Sequence, residues 1–152
     1  KEELLPAIEK AFTVHDKVLI EEFIEGREFS CGVMQVGEKE IIAFPMTEII
    51  SQTAFFDYDA KYNGQVSEIT PARISDELTK QVQEETKKYY DILGCKGIVR
   101  IDYIITEDGV PHVLEANTTP GMTPTSFIPQ QVRAAGIDIK DVMTDIIENK
   151  LN

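Results

Sequence analysis

The segment 98–117 reads IVRIDYIITEDGVPHVLEAN and decides the fold of this chain. Asp-Gly at 108–109 stands between two apolar runs, a pattern that is a strong signal for a tight β-hairpin. A two-residue loop at these positions fixes which residues of the two strands face each other. It places the Asp102 carboxylate directly opposite the Glu115 carboxylate.

The same register predicts a polar face on this hairpin. Arg100 lies opposite Asn117, and it shares a face with Asp102 and Glu115 because side chains alternate along a strand. Two opposed carboxylates repel unless something positive lies between them. One interpretation is a hard cation such as Mg²⁺, bound by oxygen atoms of Asp102, Glu115 and Asn117. The other is a solvated acidic edge that Arg100 screens. The opposite face is predicted to be the core face, formed by Val99, Ile101, Tyr103, Ile105, Leu114 and Ala116.

Composition narrows the class of protein. With 152 residues, 42% hydrophobic and 28% charged, the chain fits one domain with a real core. A formal charge of −12 argues against nucleic acid or an anionic membrane as partner. There is no run of 18 apolar residues and no signal-like start, so no membrane association is predicted. Cys31 and Cys95 match no metal spacing and are typical of a reducing compartment, here the cytoplasm.

Hydrophobic periodicity predicts an α+β fold, with an antiparallel sheet flanked by helices. Because the first residue is Lys1 and the first helix has no preceding cap, we expect a piece of a longer chain. The helix that begins after Ser75 has an N-cap and should end at Gly94. Helices are predicted at 2–12, 75–93, 129–135 and 139–151, and strands at 18–23, 28–36, 40–44 and within the hairpin 98–116.

Five separated motifs resemble those of D-alanine:D-alanine ligases, which have the ATP-grasp fold. They read VLIEEFIEGREF at 18–29, FFDYDAKY at 55–62, GCKG at 94–97, RID at 100–102 and EANTTPGMT at 115–123. The resemblance implies an ATP-dependent ligase that joins two D-alanines through an acyl phosphate for peptidoglycan synthesis. Residues 1–152 would be its C-terminal ATP-grasp domain, without the N-terminal domain and part of the central domain. On its own, this chain is then expected to be inactive.

The resemblance also implies a nucleotide site along 21–28. Glu21 would accept from the adenine amino group, the backbone of Phe23 and Ile24 would contact the adenine edge, and Glu28 would hold the ribose hydroxyls. Strand alternation puts Glu21 and Phe23 on one face and directs Glu22 away. The alternative is an ordinary strand with a solvated Glu22 and a turn-flanking Glu28.

Two apolar residues and one loop complete the implied nucleotide site. Phe55 and Leu114 would form apolar surfaces around the base, although both could equally be core. The segment 55–64 resembles the loop that closes over the nucleotide in this family. Closure would bring Lys61 to the phosphates, and Tyr62 would brace the loop and help orient the substrate. The alternative is a surface loop with a solvated Lys61.

The reacting groups implied by the resemblance lie near the polar face of the hairpin. Arg100 would stabilise the transferring phosphoryl group and the tetrahedral intermediate, or it would only screen the acidic pair. The Gly121 N–H would face the oxyanion, or Gly121 would only form a turn. Ser126 would bind the substrate carboxylate, or it would cap a helix.

The implied ligands and partners are those of the family. They are ATP with two Mg²⁺ ions, for which Mn²⁺ could substitute, D-alanine as substrate, and a second subunit in a homodimer. Two other classes stay open at this point. One is another ATP-grasp carboxylate–amine ligase, and the other is a non-catalytic binding module that uses an apolar surface near Ile128.

Overall fold

A six-stranded antiparallel sheet organises residues 3–37, 39–51 and 66–151, which are the residues that the computed structural model describes. Helices pack on both of its faces, as the α+β prediction requires. The helices are α1 (Leu4–Phe12), α2 (Asp76–Ile92), α3 (Phe127–Ala134) and α4 (Ile139–Leu151). The strands are β1 (Arg27–Val36), β2 (Glu40–Ala43), β3 (Thr47–Ser51), β4 (Val66–Ile69), β5 (Ile98–Ile105) and β6 (Pro111–Asn117).

The ten-residue strand β1 is central to the sheet, whose order is β4-β3-β1-β5-β6. One edge of β1 pairs with β5 along most of its length. The other edge pairs first with β3, from Glu28 to Ser30, and then with β2, from Val33 to Val36. Gly32 lies where the partner strand changes.

The turn between β5 and β6 has three residues, not the predicted two. The Thr106 N–H donates to the Val110 carbonyl at 3.1 Å, and the Gly109 N–H donates to the Thr106 carbonyl at 2.9 Å. Gly109 has φ +82°, as expected for a type I turn that ends in a left-handed glycine. Beside the turn the pairing is therefore one position away from the prediction, and Tyr103 faces Val113.

A β-bulge then restores the predicted pairing. The register shifts between Asp102 and Tyr103, and Leu114 is the extra residue on β6. Beyond the bulge Asp102 faces Glu115 and Arg100 faces Asn117, so these two predicted pairs are confirmed. They are right because the longer loop and the bulge offset each other.

The caps of helix α2 match the prediction. The Ser75 side chain accepts from the Leu78 N–H, which satisfies one free donor of the first turn. Gly94, with φ +62°, follows the last turn and ends the helix.

The sheet buries a core on each face. Helix α2 covers the face of Phe29 and Tyr103, whereas α3 and α4 cover part of the other face around Met34 and Phe44. The predicted core residues of β5 are confirmed as buried: Val99, Ile101, Tyr103 and Ile105. The same prediction is wrong for Leu114 and Ala116, which are exposed. Ala116 is exposed because α2 packs over β1 and β2, toward the centre of the sheet, while β6 lies at its edge. Leu114 is exposed because it is the extra residue of the bulge.

Two strand predictions need correction. Residues 18–23 are predicted as a strand, but they belong to no strand of the described sheet, and Leu19, Ile20 and Phe23 are exposed. A strand needs a partner for its backbone hydrogen bonds, and apolar side chains alone do not supply one. Conversely, β3 and β4 were not predicted. None of the helices in the described ranges is long and apolar enough to cross a membrane.

Candidate active site

A cleft of about 700 Å³ opens beside the polar face of the β5–β6 hairpin. Its floor comes from β1, β3, β5 and β6, and one wall comes from the segment before β1. The beginning of α3 closes one side. The cleft is lined by Glu21, Glu22, Phe23, Ile24, Glu28, Ile49, Arg100, Asp102, Ile104, Val113, Leu114, Glu115 and Phe127.

Arg100 lies between the two carboxylates of the acidic pair. Its Nε and Nη2 atoms donate to the Asp102 carboxylate at distances of 2.8 to 3.1 Å. Its Nη2 atom is 3.8 Å from Glu115 Oε1. Asp102 is 7% exposed, so it is desolvated and depends on these partners. The guanidinium therefore reduces the repulsion that the hairpin register creates.

The aromatic ring of Phe127 contacts the same guanidinium group. Its ring centroid is 5.3 Å from Arg100 Cζ, within the range of a cation–π contact. Since Phe127 is the first residue of α3, this contact links the hairpin to the helix. The side chain of Arg100 is only 15% exposed and is fixed on two sides.

A third carboxylate, Glu28 on β1, adds to the negative field. Burial raises the pKa of Glu28, and the charges of Asp102 and Glu115 raise it further, while Arg100 lowers it. The Glu28 side chain is half-buried on the same face of the sheet as the acidic pair. The cleft is thus an acidic site with one guanidinium, a charge pattern suited to a cation or to a ligand that carries cations.

The oxygen donors of this face are compatible with Mg²⁺. Asp102 and Glu115 face each other across the strands, and Asn117 is next on the same face of β6. Carboxylate and amide oxygens are the ligands that Mg²⁺ prefers. Asn117 Oδ1 accepts from the Thr119 N–H at 3.1 Å and keeps a second lone pair. Within residues 3–37, 39–51 and 66–151, no three Asp, Glu, His or Cys side chains converge on a metal position. Asp102, Glu115 and Asn117 are not a group of that type, because the third oxygen donor is an amide.

The segment 21–24 reaches the cleft as expected, but not as a strand. Glu21, Phe23 and Ile24 all line it. Glu22 lines it too, which corrects the prediction that its side chain is directed away. Because this segment is not part of a strand, strict alternation does not apply to it. Leu114 also reaches the cleft, where it is 45% exposed, because the bulge removes it from the core.

The loop that precedes α3 brings Gly121 and Ser126 together. A Cβ at Gly121 would lie 2.8 Å from Ser126 Oγ, so the two residues pack in direct contact. Ser126 occupies the N-cap position, but its side chain makes no capping hydrogen bond. Its Oγ instead accepts from the Thr123 N–H at 3.2 Å. Gly121, Ser126 and Asn117 lie outside the lining of the cleft, although Ser126 directly precedes Phe127, which belongs to it.

Three predicted site residues, Phe55, Lys61 and Tyr62, lie outside the described residues. Conversely, the cleft contains residues that the sequence reasoning missed. Ile104 shares the face of Asp102 two positions along β5, so alternation could have found it. Ile49 lies on β3, a strand that the sequence pattern does not predict, and it pairs there with Glu28 of β1. No local signal pointed to Phe127, whose contact with Arg100 depends on how α3 packs.

The sheet, its helices and this cleft define an ATP-grasp type of domain, which is also the fold of similar solved structures. Residues 1–148 match the family described as "D-ala D-ala ligase C-terminus". The chain therefore belongs to the D-alanine–D-alanine ligase family.

Several relatives and solved structures are similar to this chain. It is 64% identical over 150 residues to the D-alanine–D-alanine ligase of Bacteroides fragilis, covering 99% of this chain and 46% of that protein. It is 64% identical over 146 residues to that of Parabacteroides distasonis, covering 96% and 44%. The VanG D-Ala:D-Ser ligase from Enterococcus faecalis aligns with a TM-score of 0.84 and 36% identity, over 98% of this chain and 43% of that one.

A further solved structure is the D-alanine–D-alanine ligase from Bacillus anthracis complexed with ATP. It gives a TM-score of 0.79 and 34% identity, over 99% of this chain and 48% of that one. The chain thus spans less than half the length of the proteins named here.

Proposed function

We propose that this chain is the C-terminal part of an ATP-dependent ligase that joins two D-alanines into D-alanyl-D-alanine. The reaction would pass through an acyl phosphate and serve peptidoglycan synthesis in the cytoplasm. The observation that carries the proposal is the cleft, which combines a fixed guanidinium, Arg100, with the acidic pair of Asp102 and Glu115. The family match supports the identity of the substrate.

The wall at 21–24 would bind the nucleotide base. Phe23 and Leu114 present apolar surface to the cleft, as a flat heterocycle requires, and Glu21 can accept from an amino group. Glu28, farther along the floor, would accept hydrogen bonds from the ribose. By resemblance, Phe55 would add apolar surface beside the base.

Asp102, Glu115 and Asn117 would hold Mg²⁺, with Mn²⁺ as a possible substitute. When bound, two such ions would neutralise the negative charge of the phosphates and orient them for transfer. Lys61, by resemblance, would add a further positive charge beside the phosphates.

Arg100 would act on the reacting atoms. Its guanidinium is kept rigid by Asp102 and by the ring of Phe127. A preorganised cation of this kind lowers the energy of developing negative charge without reorganising during the reaction. The adjoining pair Gly121 and Ser126 would receive the second D-alanine, with the Gly121 N–H toward the oxyanion and Ser126 on the carboxylate. Tyr62 would help orient that substrate.

A second candidate is a ligase with a different second substrate. The solved VanG structure, a D-Ala:D-Ser ligase, is as similar in fold as the D-alanine ligases are. Other ATP-grasp carboxylate–amine ligases would share the metal-binding set of Asp102, Glu115 and Asn117, and would differ in the loop 55–64 and around Ser126.

The test is phosphate release from Mg²⁺-ATP by the full-length enzyme that contains this chain. The reactions contain D-alanine, L-alanine, D-alanine with D-serine, D-alanine with D-lactate, or no amino acid. Release that requires D-alanine and yields the dipeptide supports the proposal. Release that needs D-serine or another acceptor supports the second candidate. ATP binding without any amino-acid-dependent release contradicts both. Gel filtration with light scattering of the same enzyme tests the expected homodimer.

A further inference from the structure

Ser30 makes a buried contact with the acidic pair. Its Oγ donates to Asp102 Oδ1 at 2.7 Å, across the β1–β5 ladder in which the two residues face each other. Ser30 is fully buried and Asp102 is 7% exposed. Hydrogen bonds from a hydroxyl to a desolvated carboxylate are short and strong.

The backbone of Ser30 is itself fixed by a buried glutamine. Gln131 on α3 donates from Nε2 to the Ser30 carbonyl at 2.9 Å and to Thr47 Oγ1 at 3.1 Å. Its Oε1 accepts from the Gly32 N–H at 2.8 Å. Gln131 thus bridges the point where β1 changes partner strands, and Ser30 has little freedom to move.

Ser30 differs from the other partner of Asp102. Arg100 is charged and lies between Asp102 and Glu115, so a bound cation would compete with it for the same carboxylates. The Ser30 hydroxyl is neutral and approaches from β1, on the other side of β5 from Glu115. The Ser30 hydroxyl can therefore keep its hydrogen bond to Asp102 Oδ1 whether Arg100 or a metal ion neutralises the acidic pair.

We propose that Ser30 is a positioning residue that holds the Asp102 carboxylate in the orientation that faces Glu115 when the metal is bound. This inference rests on the proposed function and deepens it. Groups that hydrogen-bond to metal ligands fix their orientation, and losing one costs ten- to a hundredfold in metal affinity or activity.

The experiment measures Mn²⁺ binding by calorimetry, with a non-hydrolysable ATP analogue, in the full-length enzyme. Ser30→Ala should weaken Mn²⁺ binding about ten- to a hundredfold. Ser30→Thr keeps the hydroxyl and should restore most of the affinity. Thr86→Val is the matched control, because Thr86 also has a buried hydroxyl, bonded to Tyr103 and Val82 on the other face of the sheet. It should leave Mn²⁺ binding unchanged.

The readings separate two kinds of failure. If wild type binds Mn²⁺ and Ser30→Ala binds it equally well, the role of Ser30 is refuted while the proposed function stands. If the wild-type enzyme binds no Mn²⁺ with the analogue, the metal-binding part of the proposed function is refuted, and the role of Ser30 is refuted as well. Should Ser30→Ala not fold, Ser30→Cys, whose thiol is a weak donor, should show an intermediate loss of affinity. Wild-type affinity in that variant would also refute the role.

A double-mutant comparison tests whether Ser30 acts through Asp102. In an Asp102→Ala background, removing the Ser30 hydroxyl should weaken residual Mn²⁺ binding no further. A second loss of similar size in that background would overturn the inference.

Discussion

Glu115→Gln removes one charge from the acidic pair and nearly preserves the shape of the side chain. This change should disturb folding little, because the Glu115 side chain is 65% exposed and its Oε1 lies 3.8 Å from Arg100 Nη2. An exposed ion pair of this kind contributes about 1 kcal/mol or less to folding. Asp102 is different, since it is buried and accepts from both Arg100 and Ser30. Breaking such a buried pair costs about 3–5 kcal/mol.

The expected effect of Glu115→Gln on metal dependence is much larger than its effect on folding. Even residues that only support a metal ligand change affinity ten- to a hundredfold, so removing a charged ligand should raise the half-saturating Mg²⁺ concentration at least about tenfold. In contrast, the free energy of unfolding, measured by thermal denaturation, should fall by no more than about 1 kcal/mol.

The assay is the initial rate of D-alanine-dependent phosphate release as a function of Mg²⁺, at saturating ATP, in the full-length enzyme. The control is Glu107→Gln, an equal change of charge at the exposed tip of the same hairpin. An unchanged Mg²⁺ dependence in Glu115→Gln would refute the metal assignment. It would instead favour the simpler arrangement in which Arg100 alone neutralises the pair.

Three further outcomes are expected. The isolated 152-residue chain should form no dipeptide from Mg²⁺-ATP and D-alanine, and product above a no-enzyme blank would contradict this. The pKa of Glu28 is raised above 4.5, chiefly by burial, so its ionisation costs folding stability as the pH rises past that value. Glu28→Gln should therefore stabilise the chain more at pH 7 than at pH 4, and an equal effect on urea unfolding at both pH values would count against the raised pKa. Gly32→Ala should cost about 1–3 kcal/mol in urea unfolding, because its Cβ would lie 2.6 Å from Gln131 Oε1 and from Ile128 Cδ1; a neutral effect would mean that these side chains move aside.

The pairing of Asp102 with Glu115 was predictable, although the predicted two-residue turn was wrong. Apolar alternation and Asp-Gly were enough to predict a hairpin and its polar face. The three-residue turn and the bulge at Leu114 were not visible in the pattern, since both depend on how the strands twist and pack. The prediction survived because one extra residue in the loop and one in the bulge shift the register in opposite directions.

The segment 18–23 shows the opposite case. Its apolar residues favour a strand, and its residues 21–23 line the cleft, yet it pairs with no strand of the described sheet. Side-chain pattern reports which residues favour burial. It does not report whether a neighbouring backbone is available to complete a ladder.

The sequence by itself determined the features that depend on near neighbours along the chain. These are the cap at Ser75, the helix end at Gly94, the hairpin, and the one face that carries Arg100, Asp102 and Glu115. Backbone dihedral preferences and side-chain alternation are set within a few residues, so they can be read locally.

Only the tertiary structure decided how these parts meet. The hydrogen bond of Ser30 with Asp102 joins residues 72 positions apart, and that of Gly32 with Gln131 joins residues 99 positions apart. The ring of Phe127 over Arg100 likewise depends on where α3 packs. Such contacts follow from the burial of whole faces of the sheet and from satisfying every buried polar group at once, which no local pattern encodes.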